Sequence, residues 1–259
     1  LAEARDRGIR LMLTLSNHWK DYGGVPMYLR WAGLPTEGFS YEAFYSHPQA
    51  RAFYRAGLLR LLLRTNTVTG VRYIDDPTIF AWELMNESVV LTAAGAEARR
   101  AWIKEMADLI RAHDRNHLVS AGLLGYGHSA ERAEWVRVCQ MPEVDYCDSH
   151  LYPDGTDLAT SWERVRDLID DRAQLARFVA RKPLVLGEIG GLTAQQGIAK
   201  GQLKRPDEAR LRLGMAQLQS AKTRAQAVQT LPGYAAASAG EVLSLTRALP
   251  WWRFRTAKS

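Results

Sequence analysis

Short apolar runs alternate with longer amphipathic ones along most of this chain, and that alternation sets the expected architecture. "LMLTLS" (Leu11 to Ser16), "TIFAWELMN", "HLVSAG", "VDYCDSHLY" and "KPLVLGEIG" are apolar without a two-residue period. Runs of that kind are expected of parallel strands buried on both faces. Between them, apolar positions recur at helical spacing. "QARAFYRAGLLRLLLRTN" predicts a helix with Phe53, Gly57, Leu58, Leu61 and Leu62 on one face. "AEARRAWIKEMADLIRAHD" predicts another, lined by Ala98, Trp102, Met106, Leu109 and Ile110, with Glu105 as the one break in the stripe. "SAERAEWVRVC", "SWERVRDLIDDRAQLARFVAR" and "PDEARLRLGMAQLQSAKTRAQAVQ" predict three more.

Strand alternating with helix at this spacing predicts βαβ units and a parallel sheet. The fold class expected is α/β, a (β/α)₈ barrel. Five strands are clear and "GYAAASA" is a sixth candidate, so the barrel is expected to lack its first two βα units. A doubly wound open sheet is the alternative, but no Gly-rich dinucleotide fingerprint or phosphate loop accompanies it. The barrel is expected over residues 1–231. Residues 232–259, "PGYAAASAGEVLSLTRALPWWRFRTAKS", are rich in small residues and then aromatic and basic, and form an atypical tail.

Composition changes this picture little. The 259 residues suit one large domain. The net charge of +6 comes from Arg scattered among Glu and Asp on helix-like segments, which is a solvated face and not a nucleic-acid stripe. No apolar run approaches the roughly 20 residues that span a bilayer. Cys139 and Cys147 have no metal or redox spacing, and Cys147 reads as a buried thiol; a disulfide between them stays open. The chain opens on "LAEARDRGIR", without a start Met or leader, and reads as a fragment entered inside a helix.

Chemistry concentrates where apolar strands end. "IFAWELMNE" ends in Asn86 and Glu87, "YCDSHLY" in His150 and Tyr152, and "PLVLGE" in Glu188. α/β barrels carry their active sites at the C-terminal ends of their strands. A carboxylate behind a buried strand costs desolvation energy unless it is paired or used. Two such glutamates suggest the carboxylate pair of glycosidic bond cleavage, where one group protonates the leaving oxygen and the other attacks the anomeric carbon. Trp19 and Tyr22 lie on a loop at the strand ends, where an aromatic ring suits the apolar face of a sugar; a plain loop role is the alternative. Trp82 lies inside a strand, and Trp102, Trp135 and Trp162 inside helices, so these read as core. Asp75 and Asp76 precede Pro77 and read as turn residues.

"NHWKDYGG", "RTNTVTGVRYIDDPTI", "DDPTIFAWELMNE", "SHLYPD" and "KPLVLGEIG" resemble the glycoside hydrolase family 5 endo-β-1,4-mannanases of the plant and fungal type, over Leu1 to Gly191. The resemblance implies a (β/α)₈ fold, a retaining mechanism, no cofactor and no metal, and β-mannan as substrate. It places Glu87 as acid/base and Glu188 as nucleophile, with Asn86, His150 and Tyr152 in supporting roles and, more loosely, His18. It implies secretion and a monomer without nucleic-acid or membrane partners. The chain departs from the pattern in three places. Ser88 replaces the usual Pro after the Asn-Glu pair, the strand-two Arg falls before Leu1, and no Trp occupies the strand-eight position. The alternatives are a related β-1,4-glycanase acting on cellulose, and an inactive fragment with weak glycan binding.

Overall fold

A computed structural model describes residues 1–35, 41–126, 129–151 and 162–189. The described residues form α1 (Ala2–Asp6), β1 (Leu11–Thr14), α2 (Gly24–Trp31), α3 (Ala43–Ser46), α4 (Pro48–Leu62), β2 (Ile79–Glu83), α5 (Ala93–His113), β3 (Leu118–Ser120), α6 (Ser129–Cys139), β4 (Cys147–Leu151), α7 (Trp162–Gln174) and β5 (Leu184–Ile189). The five apolar runs are the five strands described. The candidate strand "GYAAASA", the last expected helix and the 232–259 tail lie outside the described residues. The chain divides into two compact units, 1–148 and 149–259.

In the first unit β1, β2 and β3 form a parallel sheet in that order. The register aligns Thr14 with Glu83 and Glu83 with Ser120, a polar row in an otherwise apolar sheet. The Thr14 hydroxyl donates to Glu83 Oε1 at 3.0 Å, so that buried carboxylate is held by its neighbouring strand. Leu11 to Met12 carries a register irregularity against β2.

Aromatic side chains join the helices to the sheet. The Trp102 ring on α5 meets Phe44, Tyr45 and Tyr54 edge-on at centroid distances of 5.6, 5.4 and 5.1 Å, within the range favoured by ring quadrupoles. Burial pushes the Tyr54 phenol well above its ordinary pKa, so it stays protonated. It donates to the Leu84 carbonyl at 2.5 Å, just beyond β2. The cluster therefore fixes the strand end from which the candidate site begins.

Two helical faces differ from expectation. α4 buries Ala50, Tyr54, Leu58 and Leu62. Gly57 is exposed, while Phe53 and Leu61 are half-buried. Leucine on several sides of this helix blurs its period, and the i, i+4 row through Tyr54 wins because its phenol finds a buried acceptor. In α5 the charged residue on the apolar stripe is Arg99, which is buried; Ala98 is only half-buried. Glu105 is half-buried and pairs with Arg51 and Arg55 of α4.

Asp114, just past α5, accepts from Trp82 Nε1 at 2.6 Å and lies 2.7 Å from His117 Nδ1. Burial opposes its ionisation, but hydrogen bonds from His117, Trp82 and Asn116 outweigh that and hold its pKa below the ordinary value. Trp82 and Trp135 are buried as expected, and Asp75 and Asp76 are turn residues, with Asp76 Oδ1 accepting from the Thr78 N–H. Cys139 and Cys147 are both buried, and no disulfide joins them.

In the second unit the sequence pattern predicts that α7 runs on through Arg181. It gives way to a π-helical turn over Leu175–Ala180, ended by Arg181 at φ 58°. β5 then pairs with β4. No helix among the described residues is long and apolar enough to cross a membrane.

Candidate functional site

The segments leaving β1 and β2 run together beyond the sheet. Asn86 donates its N–H to the Ser16 carbonyl at 2.8 Å, and its own carbonyl accepts from His18 N at 3.0 Å. Asn17 and Asn86 form an isolated parallel bridge, and Asn86 Nδ2 donates to Asn17 Oδ1 at 3.1 Å. The same Asn17 oxygen accepts from the Trp19 N–H at 3.2 Å. Asn17 thus links the two strand ends. Sequence reading passed over it, although its place directly behind an apolar strand is the signal used for Asn86.

Glu87 follows with φ 53°, a left-handed conformation uncommon outside glycine because the Cβ crowds the following carbonyl oxygen. Three contacts hold the turn behind it. Ser88 donates its N–H to the Gly122 carbonyl at 3.0 Å. The buried Arg99 guanidinium donates to the Ser88 carbonyl and pairs with Glu134 at 3.1 Å. Glu42 accepts from the N–H groups of Leu91 and Thr92, the latter at 2.8 Å. Proline at position 88 has no N–H to give, so serine supplies a bond that the usual residue cannot. Gly122 has φ 69°, and a Cβ there would lie 1.7 Å from the Met85 carbonyl oxygen, so only glycine lets β3 approach this turn.

Trp19 reaches the acidic side chain directly, its Nε1 donating to Glu87 Oε2 at 2.5 Å. Its loop closes through Gly24, at φ 46°, where a Cβ would lie 1.7 Å from the Trp19 carbonyl oxygen. Trp19 is 38% exposed, so part of its ring faces solvent.

His18 is buried, edge-on to Trp19 at 5.0 Å and 3.3 Å from the Tyr45 hydroxyl through Nδ1. Burial, reinforced by the positive charge of Arg99 and opposed by Glu87 and Glu42, lowers its pKa to about 4. Its imidazole is therefore neutral across the ordinary pH range. Tyr22, in contrast, is fully exposed on its loop at φ 55°.

In the second unit, His150 is buried in β4, and its Nδ1 lies 3.6 Å from Oε1 of Glu188, which is 39% exposed on β5. At that distance the contact is electrostatic and not a direct hydrogen bond. Arg172 of α7 donates to the His150 carbonyl at 3.0 Å and fixes the strand backbone there. Tyr152 lies outside the described residues. Of the expected site residues, the first unit therefore gathers His18, Trp19, Asn86 and Glu87, and the second pairs His150 with Glu188.

Residues 1–199 match the family model described as glycoside hydrolase family 5 beta-mannosidase-like. A mannan endo-1,4-beta-mannosidase of Oryza sativa is 34% identical over 221 residues, 78% of this chain and 51% of the relative. One from Arabidopsis thaliana is 35% identical over the same shares. The chain spans about half the length of the curated relatives it matches. Among solved structures, an endo-beta-1,4-mannanase from Thermotoga petrophila superposes with a TM-score of 0.66 at 30% identity, over 73% of this chain and 44% of that one. An endo-1,4-beta-mannanase from Rhizomucor miehei gives 0.62 at 29% identity, over 77% and 59%.

Proposed function

We infer the function from one premise: the chain belongs to the glycoside hydrolase family 5 beta-mannosidase-like proteins, whose model spans residues 1–199. The protein is a retaining endo-β-1,4-mannanase that cleaves internal bonds of mannan, glucomannan or galactomannan, on a (β/α)₈ barrel. The observation that carries the reading is Glu87, locked in a left-handed turn at the end of a buried parallel strand, behind Asn86. A carboxyl group carried on a strained, anchored backbone turn beyond a strand end is placed for use and not for packing.

The chemistry is a double displacement. A Glu188 carboxylate oxygen attacks the anomeric carbon, the bond to the leaving oxygen breaks, and Glu87 delivers a proton to that oxygen. Glu87, now ionised, takes a proton from water; the water oxygen attacks the same carbon and releases Glu188. This requires carboxyl groups about 5–5.5 Å apart. His150, whose buried ring faces Glu188, keeps that carboxylate oriented. Asn86 presents its amide to a sugar hydroxyl beside the reacting carbon, Tyr152 supports the nucleophile, and the exposed parts of Trp19 and Tyr22 offer surfaces for sugar rings. A polymeric substrate cannot cross a membrane, so the reading carries secretion with it.

Reducing-sugar release from β-mannan tests the assignment. Release that Glu87→Gln and Glu188→Gln each lower by at least about a hundredfold is expected from loss of the acid or nucleophile. Substantial release by Glu188→Gln overturns the roles. Faster release from carboxymethylcellulose than from mannan favours the cellulose reading instead.

A further inference from the structure

Trp19 was expected as a surface for sugar, yet its indole N–H points at Glu87 Oε2, 2.5 Å away. An indole nitrogen donates and cannot accept. The carbonyl oxygen of a neutral carboxyl group is a better acceptor than its hydroxyl oxygen, so the bond favours Oε2 as the unprotonated oxygen when Glu87 is in its acid form. We propose that Trp19 is a positioning residue for the acid/base: it occupies Oε2 and leaves Oε1 as the oxygen that carries the proton to the departing sugar. The inference rests on the function proposed for Glu87.

Three further observations support it. The Trp19 backbone is pinned by Asn17 Oδ1, which also holds Asn86, so the donor and the residue before the acid share one anchor. The Trp19 carbonyl lies so close to Gly24 that no other residue fits there, which fixes the loop on its far side. The neutral His18 ring packs edge-on against the indole and limits its rotation. A residue serving only as a stacking surface needs none of these restraints on its nitrogen.

In the catalytic cycle the bond has a definite consequence. In the first step the proton leaves Oε1 for the glycosidic oxygen, and negative charge develops on the carboxyl group. The Trp19 N–H then strengthens its bond to an oxygen that is becoming anionic. The contribution is largest when the leaving group most needs protonation.

Aryl β-mannobiosides whose phenols range from strongly to weakly acidic test this, with kcat/KM measured for the wild-type chain and Trp19→Phe. The expected result is a steeper dependence on leaving-group acidity in the variant. The fall on the poorest leaving group should exceed the fall on the best by at least about tenfold, a part of the 10²–10⁴ that a general acid supplies. Parallel lines, with every substrate slowed alike, overturn the proposal and leave Trp19 as a sugar surface. A second readout does not depend on activity. In the ¹⁵N–¹H spectrum, the indole signal assigned by its loss in Trp19→Phe should lie downfield and move when Glu87 is replaced by Gln. An indole signal indifferent to Glu87→Gln also overturns the proposal. A wild-type chain inert towards all the mannobiosides counts against the proposed function, and the indole signal then still decides the pairing.

Discussion

Acidification from about pH 8 to about pH 5 should remove about 2 kcal/mol of stability through His18 alone. His18 is buried, and its pKa falls from 6.5 to about 4, first through desolvation and then through the charge of Arg99. The unfolded chain thus binds a proton at this residue more readily than the folded one. The neutral-state stabilisation is complete above the unfolded value of 6.5 and is lost progressively as pH falls towards the folded value of about 4. Between 6.5 and 5 the loss spans about one and a half pH units, at about 1.4 kcal/mol per unit. Urea unfolding followed by tryptophan fluorescence reads this as a midpoint lower by about 1 M at the acid end, for a slope of about 2 kcal/mol per molar. The comparison is with His18→Gln, which lacks the titrating group. Its midpoint should fall by that much less over the same interval. If the two midpoints fall in parallel, the burial and charge argument for His18 is wrong.

Two other perturbations follow from the same geometry. Gly24→Ala places a methyl group 1.7 Å from the Trp19 carbonyl oxygen, so the loop must move and kcat/KM on mannan should fall about a hundredfold; Gly8→Ala, with open space around it, is the control, and equal activity in the two variants refutes the argument. Asp114→Ala strips the buried Trp82 and His117 of their shared acceptor and should destabilise the fold by about 2–4 kcal/mol in chemical unfolding, whereas a change within error would show that water replaces the carboxylate.

Much of this architecture was legible because buried parallel strands are apolar on both faces. All five runs read as strands are strands, and Asn86, Glu87 and Glu188 stand at or just beyond their ends. The phase of α4 was not legible, since Leu58, Leu59, Leu61, Leu62 and Leu63 leave several faces equally apolar. What chose among them was the bond from Tyr54 to the Leu84 carbonyl, 30 positions away. The burial of Arg99 was hidden for a similar reason. A guanidinium can enter a core only when partners meet it, and those partners are the Ser88 carbonyl and Glu134, supplied by other elements. Its position on the apolar stripe, between Ala96 and Trp102, was the available signal. The left-handed backbone of Glu87 and the bond from Trp19 depend on the meeting of two strand ends, which no local pattern records.

The central claim is that Glu188 attacks the anomeric carbon while Glu87 protonates the leaving group. A 2-deoxy-2-fluoro-β-mannosyl fluoride tests it most directly, because the fluorine slows hydrolysis of a covalent sugar–enzyme intermediate and the fluoride leaves without an acid. Peptide mapping by mass spectrometry after incubation should place one fluoromannosyl group on Glu188. A chain that cleaves mannan but carries the label on another residue, or carries none, contradicts the account.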